Sequence, residues 1–170
     1  NLRAARKMDE AVRFLDKEIR ESSMDGEYLY TFLVETLKGE DLENCRLAIN
    51  YLQARGDRRA IKPLSELFEQ KNKSVDLRLY ALNGLVNFQQ KDAMPQTWKA
   101  LFDHEPKIRS YAAEVLGQIG DSGVVYSLAK TLKDEKDESV RKSIMKTLRK
   151  FDDKPRTLVE KITGQRPWAR

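Results

Sequence analysis

Apolar side chains recur along this chain at helical rather than strand spacing. With Cys45, Arg78, Arg109 and Arg141 as reference positions, spaced 33, 31 and 32 residues apart, the residues three later are Ala48, Ala81, Ala112 and Ile144. Four later stand Ile49, Leu82, Ala113 and Met145; seven later, Leu52, Leu85, Leu116 and Leu148. Steps of three, four and seven return to one face of a helix with 3.6 residues per turn, so each unit predicts a helix with the same buried stripe.

A second helix precedes each of these. Gly56 and Gly120 stand where a helix would end in a left-handed turn, and Asp57 and Asp121 follow as natural caps. Next come Ile61, Leu64, Leu67 and Phe68 in one unit and Val124, Val125, Leu128 and Leu132 in another. The middle unit offers Asp92, Met94, Trp98, Leu101 and Phe102, with Gln89-Gln90 in place of the glycine turn. Pro106 and Pro155 fall in predicted first turns, where proline is tolerated. Over residues 1–40 a weaker pattern, Met8, Val12, Leu15 and Ile19 and then Tyr28, Leu29, Phe32, Leu33 and Leu37, is broken by Ser22–Gly26. A short helix over Thr157–Thr163, ended by Gly164, brings the expected total to about ten. Since a lone helical hairpin leaves an apolar face open, stacked hairpins are the expected architecture. The expected organisation is a single domain over 1–170: a hairpin or cap at 1–40, repeats at 42–151, and a cap or tail at 152–170.

The run Ile108–Asp121, reading IRSYAAEVLGQIGD, resembles the short HEAT-like repeat, the version also seen in phycobilisome lyases. Val140–Leu148, preceded by Leu132-Lys133-Asp134, resembles it as well, and Ala60–Leu64 looks like its first helix. The likeness covers roughly Leu42 to Phe151. It implies an all-α fold, a right-handed α-solenoid of about four to five helical hairpins, whose second helices line a concave face that holds partners. It also implies that Arg78, Arg109 and Arg141 are structural ladder residues paired with acids of a neighbouring turn, for which Asp57, Asp92, Asp103, Asp121 and Asp134 are available. Cys45 departs from the arginine. Tetratricopeptide and ankyrin arrays share the period but lack their signature residues here.

Offsets of two, five and nine from the reference column share another helix face, expected to look outward. They read Leu47, Tyr80, Tyr111 and Ser143; Asn50, Asn83, Glu114 and Lys146; Ala54, Asn87, Gln118 and Lys150. From these the candidate partner-binding set is Leu47, Asn50, Tyr80, Asn83, Asn87, Tyr111, Glu114, Gln118, Lys146 and Lys150. Tyrosine is favoured at interfaces; Tyr80 and Tyr111 packing on each other is the alternative, and both roles are compatible.

Composition sharpens this picture. Charged residues are 35 % of the 170, against a usual ~25 %, and hydrophobic ones 40 %, a balance that suits much surface per core residue. The net charge of +5 is uneven: residues 1–56 carry 9 basic and 11 acidic groups, whereas Val140–Arg170 carries 10 basic and 3 acidic. Arg141, Lys142, Lys146, Arg149, Lys150, Lys154 and Arg156 therefore make nucleic acid the alternative partner to a protein or peptide.

Chemistry is sparse. One His and one Cys supply neither a structural zinc site nor a disulfide. His104 falls in a predicted turn, and Cys45 lies in the buried column as an inert thiol. Carboxylate pairs sit in an exposed turn with no apolar pocket. No enzyme activity, metal or cofactor is expected. Trp98 is assigned to the core and Trp168 to a cap over the final repeat. No apolar run reaches the ~20 residues of a membrane helix. The Asn1 start is read as a processed or engineered end, with the cytoplasm favoured and export after signal removal left open. The expected role is a non-enzymatic scaffold that binds protein or peptide.

Overall fold

The structure, a computed structural model, describes residues 6–14, 17, 26–88, 90–119, 122–151 and 154–164. Among the described residues the regular structure is helical and no strand is present. The chain divides into two compact units, Asn1–Ala93 and Met94–Arg170.

In the first unit a helix over residues 6–14 (α1) precedes α2 (Glu27–Leu37), α3 (Leu42–Ala54), a 3-10 turn (Arg58–Ala60), α4 (Ile61–Glu69) and α5 (Val75–Phe88). Each start has a local cause. Asp41 accepts a hydrogen bond from the Asn44 N–H and caps α3, and Asp57 accepts from the Arg59 N–H and caps the 3-10 turn. Between α3 and that turn Gly56 adopts φ +63°, a left-handed conformation that glycine reaches without a side-chain penalty. α2 pairs with α3 and α4 with α5; α3 also packs on α5 and α2 on α4, so the hairpins stack first helix to first helix and second to second. The core between them holds Leu29, Leu33, Leu37, Ile49, Leu52, Leu64, Phe68, Leu82 and Leu85, all nearly inaccessible. Each buried leucine stabilises the folded state by roughly 1.5–3 kcal/mol.

The second unit contains the rest of α6 (Gln90–Ala100), α7 (Pro106–Ile119), α8 (Ser122–Asp134), α9 (Glu138–Leu148) and α10 (Lys154–Thr163). Pro106 opens α7 as expected, and Asp137 caps α9 by accepting from the N–H groups of Ser139 and Val140. α7 packs on α9, α8 on both α9 and α10, so α10 takes a first-helix position. It begins at Lys154 rather than Thr157 and ends at Gly164, whose φ is +67°.

The buried stripe follows the sequence pattern: Cys45, Ala48, Ile49 and Leu52 in α3, Arg78, Ala81, Leu82 and Leu85 in α5, Ala112, Ala113 and Leu116 in α7, and Ile144 and Leu148 in α9. The register of α6 departs from it. Thr97, Ala100 and Leu101 are its buried positions, Trp98 is only half-buried, and Phe102 is 69 % exposed, because the helix ends at Ala100 and the following turn swings Phe102 outward. Asp121, Gly120, the break at Ser22–Asp25, Gln89 and the Trp168 cap lie outside the described residues.

Candidate functional site

The arginine column proves to be a set of clasps at the turns. Arg78, 1 % exposed, donates from Nε to the Phe68 carbonyl at 2.9 Å, and its guanidinium lies 5.3 Å from the Phe68 ring centroid. Arg141 donates from Nη1 to the carbonyls of Leu132 (2.9 Å) and Glu135 (3.1 Å). Arg109 donates from Nη1 to the carbonyls of Asp103 (2.8 Å) and His104 (3.0 Å). In every case a second helix sends its first-turn arginine back to the carbonyls that end the first helix of its hairpin or form the turn, groups that otherwise go unsatisfied and carry partial negative charge.

The expected aspartate partners need correcting for Arg109. Its ion pair is bidentate with Glu135, Nε to Oε2 at 2.7 Å and Nη2 to Oε1 at 2.9 Å, with side chains only 16 % and 6 % exposed. Asp103 offers Arg109 its carbonyl, while its carboxylate accepts the Glu105 N–H. Asp57 is paired with Arg59, which holds its carboxyl below the ordinary range. Glu135 was missed because it belongs to the next hairpin's turn, a contact set by stacking and invisible to spacing within a helix. The guanidinium of Arg109 lowers the Glu135 pKa, aided by the N–H groups of Asp137 and Lys136. Arg109 and Glu135 also line a cleft of about 410 Å³ with Phe102 and Lys130 at its wall.

Cys45 is fully buried, and burial raises its thiol pKa to about 11. His104 lies in the turn before α7, with its ring nitrogens 3.1 Å from Asp103 and 3.3 Å from Glu105. Among the described residues no group of His, Cys, Asp and Glu could hold a metal ion, and no helix is long and apolar enough to cross a membrane.

The candidate partner-binding residues separate by offset. At offset five Asn50, Asn83, Glu114 and Lys146 are all exposed; at offset nine Ala54, Asn87, Gln118 and Lys150 are exposed too. Offset two is different: Tyr80 is 39 % exposed, Leu47 and Tyr111 are half-buried, and Ser143 is buried at 7 %. Ser143 Oγ donates to the Ser110 carbonyl at 3.1 Å and meets Glu114 Oε1 at 3.3 Å, so this column borders the seam where one second helix stacks on the next. The α3–α5 seam is also bridged by a side-chain-to-backbone bond, in the opposite sense, with Gln53 Nε2 donating to the Gly84 carbonyl at 3.3 Å. Between α7 and α9 the helices come so close that a Cβ on Gly117 would lie 2.2 Å from Thr147 Cγ2. Along α9 and the turn that follows it, Lys142, Lys146, Arg149 and Lys150 are exposed, whereas the side chains of Lys154 and Arg156 are outside the described residues.

Comparison with known proteins agrees with this architecture. The family described as HEAT repeats matches residues 70–149. A stretch of 67 residues, 39 % of this chain, is 37 % identical to a Geobacillus stearothermophilus protein named "Uncharacterized protein in gldA 3'region". The match covers 31 % of that protein, so this chain spans about a third of the curated relative's length. Paired helices, clasps at the turns and this match identify residues 70–149 as HEAT-like repeats.

Proposed function

We propose that the protein is a non-enzymatic scaffold that binds a partner protein or peptide on the exposed face of its second helices. HEAT repeats are commonly protein-interaction scaffolds. The observation that supports this reading is the exposure of both outer columns in every second helix: amides Asn50, Asn83 and Asn87 beside Tyr80 in the first unit, and Glu114, Gln118, Lys146 and Lys150 in the second. These side chains are not needed for the core, and amide groups with an adjacent amphipathic ring suit an adaptable polar contact with an extended or helical segment. Nucleic acid is the competing partner. The basic column supports it, but α9 carries no aromatic residue on which a base could stack.

The test is position-resolved cross-linking. A photoreactive residue at Asn83 should trap a partner protein from the native source, whereas one at Lys62, exposed on the first helix α4, should not. The trapped protein, purified, should bind the chain in solution and lose at least tenfold in affinity with Tyr80→Ala/Asn83→Ala, about 1.4 kcal/mol, at unchanged thermal stability. Trapping from Lys62 alone, or a trapped species that is nucleic acid, would overturn the reading.

A further inference from the structure

The seam between α7 and α9 is formed by one face of α7, and the repeat gives the segment 142–149 the equivalent face with different chemistry. α7 turns Ser110, Glu114 and Gly117 toward α9, as the Ser110 and Glu114 bonds to Ser143 and the Gly117 approach to Thr147 establish. One period of 32 residues later those positions are Lys142, Lys146 and Arg149. In α7 Ser110 and Gly117 are half-buried beneath α9; their counterparts, Lys142 in α9 and Arg149 at its C-cap, are exposed. Among the described residues, the side of α9 equivalent to the one α7 turns to its neighbour is thus exposed and basic, and Lys150 in the following turn adds a fourth cation. Lys142 lies 3.8 Å from Glu138. Among the described residues no carboxylate lies within ion-pairing distance of Lys146, Arg149 or Lys150.

From this geometry we propose, building on the scaffold reading above, that the outer side of α9 docks an acidic helix of a partner protein, laid alongside α9 as α9 lies alongside α7. Two observations select this occupant. The surface continues an existing helix-to-helix seam, so a helix is the shape that fits it. The cations at positions 142, 146 and 149, the last at the αR cap that ends α9, form one stripe about 10 Å long at ~1.5 Å per residue, with Lys150 in the turn just beyond. Carboxylates at i, i+4 and i+7 of an opposing helix present the complementary stripe. Among the described residues α9 itself offers a polynucleotide few phosphate contacts and no aromatic ring to stack on.

The experiment uses the whole chain and a fluorescein-labelled, alanine-based helical peptide with glutamates at i, i+4, i+7 and i+11. A peptide of the same composition with the glutamates spread around the helix and a single-stranded DNA of equal charge serve as competitors. We expect saturable binding at low salt, preference for the striped peptide, and at least tenfold weakening by Lys142→Glu/Arg149→Glu. Lys62→Glu/Lys133→Glu, which reverses two exposed lysines on first helices, should change affinity less than twofold. Lys142→Gln/Arg149→Gln, which keeps the stripe's length and removes only charge, should give an intermediate loss, and circular dichroism should report unchanged helicity for each variant. No saturable binding, equal effects of both charge reversals, equal affinity for both peptides, or tighter binding of the DNA would overturn the proposal. Any of these results leaves the Asn83 cross-linking test of the scaffold reading independent.

Discussion

Lys73 supplies to the first hairpin the cation that Cys45 cannot. Cys45 stands in the arginine column and its Sγ–H still points at the end of α2, 3.3 Å from the Thr36 carbonyl. The charge comes instead from the next hairpin's turn, where Lys73 Nζ donates to the carbonyls of Lys38 and Gly39, each at 3.0 Å, and pairs with Glu40 at 2.5 Å. The Lys73 side chain is 5 % exposed, and its charge pulls the Cys45 pKa down against the larger effect of burial. Two residues from different hairpins thus share the place that Arg78 or Arg141 fills alone.

This division predicts a coupling. Cys45→Arg, which restores the column, should destabilise the protein because a second cation would enter a site already filled by Lys73. Lys73→Met should cost about 2 kcal/mol by leaving two carbonyls unpaired. The double variant should be more stable than the sum of the single losses by about 1 kcal/mol or more, measured as a coupling in urea unfolding. Strict additivity would refute the sharing.

The buried thiol makes a second prediction, with a definite sign. A folded-state pKa raised to about 11 from 9.0 means that the unfolded chain loses this proton first. The associated stability is present below pH 9.0 and declines as pH rises toward 11. Native protein at pH 8 should therefore react with a thiol-specific reagent at least a hundredfold more slowly than protein in urea, and Cys45→Ser should remove part of the alkaline fall in melting temperature.

At the other end of the pH scale the Arg109–Glu135 pair governs. The glutamate's folded pKa is lowered from 4.5, so its contribution is complete above that value and disappears as pH falls through the lowered one. Glu135→Gln should leave a shallower acid limb in a plot of melting temperature against pH. At neutral pH, Arg109→Met should cost roughly 3 kcal/mol by stranding a carboxylate that is 6 % exposed.

The close approach of α7 and α9 rests on a missing side chain. Gly117→Ala brings a methyl carbon to 2.2 Å from Thr147 Cγ2, which a turn of the buried Thr147 side chain or a shift of one helix must relieve. A loss of about 1–3 kcal/mol is expected, with much of it recovered in Gly117→Ala/Thr147→Ala, where the clashing methyl is gone. Calorimetry on both variants checks this, and an undiminished Gly117→Ala would show that the contact yields without cost.

The buried stripe was legible in the sequence because it depends on helical periodicity alone: Ala81, Leu82 and Leu85, or Ala112, Ala113 and Leu116, are buried wherever the helices go. The partners of the column were not. Glu135 and Lys73 are brought to their places by stacking, and neither lies in a periodic position. The outward face was legible at offsets five and nine and ambiguous at offset two, where Ser143 turns into the seam, since crossing geometry rather than pitch decides which edge of a helix meets its neighbour. Phe102 was misjudged because the end of α6 interrupts the period just before it.

Arg78 and Arg141 donate to carbonyls of their own hairpins, whereas Ser110, Gly117, Ser143 and Thr147 meet across the seam between hairpins. Closing a turn and spacing its neighbour thus fall to different residues along α9, while Arg109, which also pairs with Glu135 of the next hairpin, serves both ends. A designer could redraw the spacing of α7 and α9 through those four small residues while Arg141 goes on holding its own turn shut.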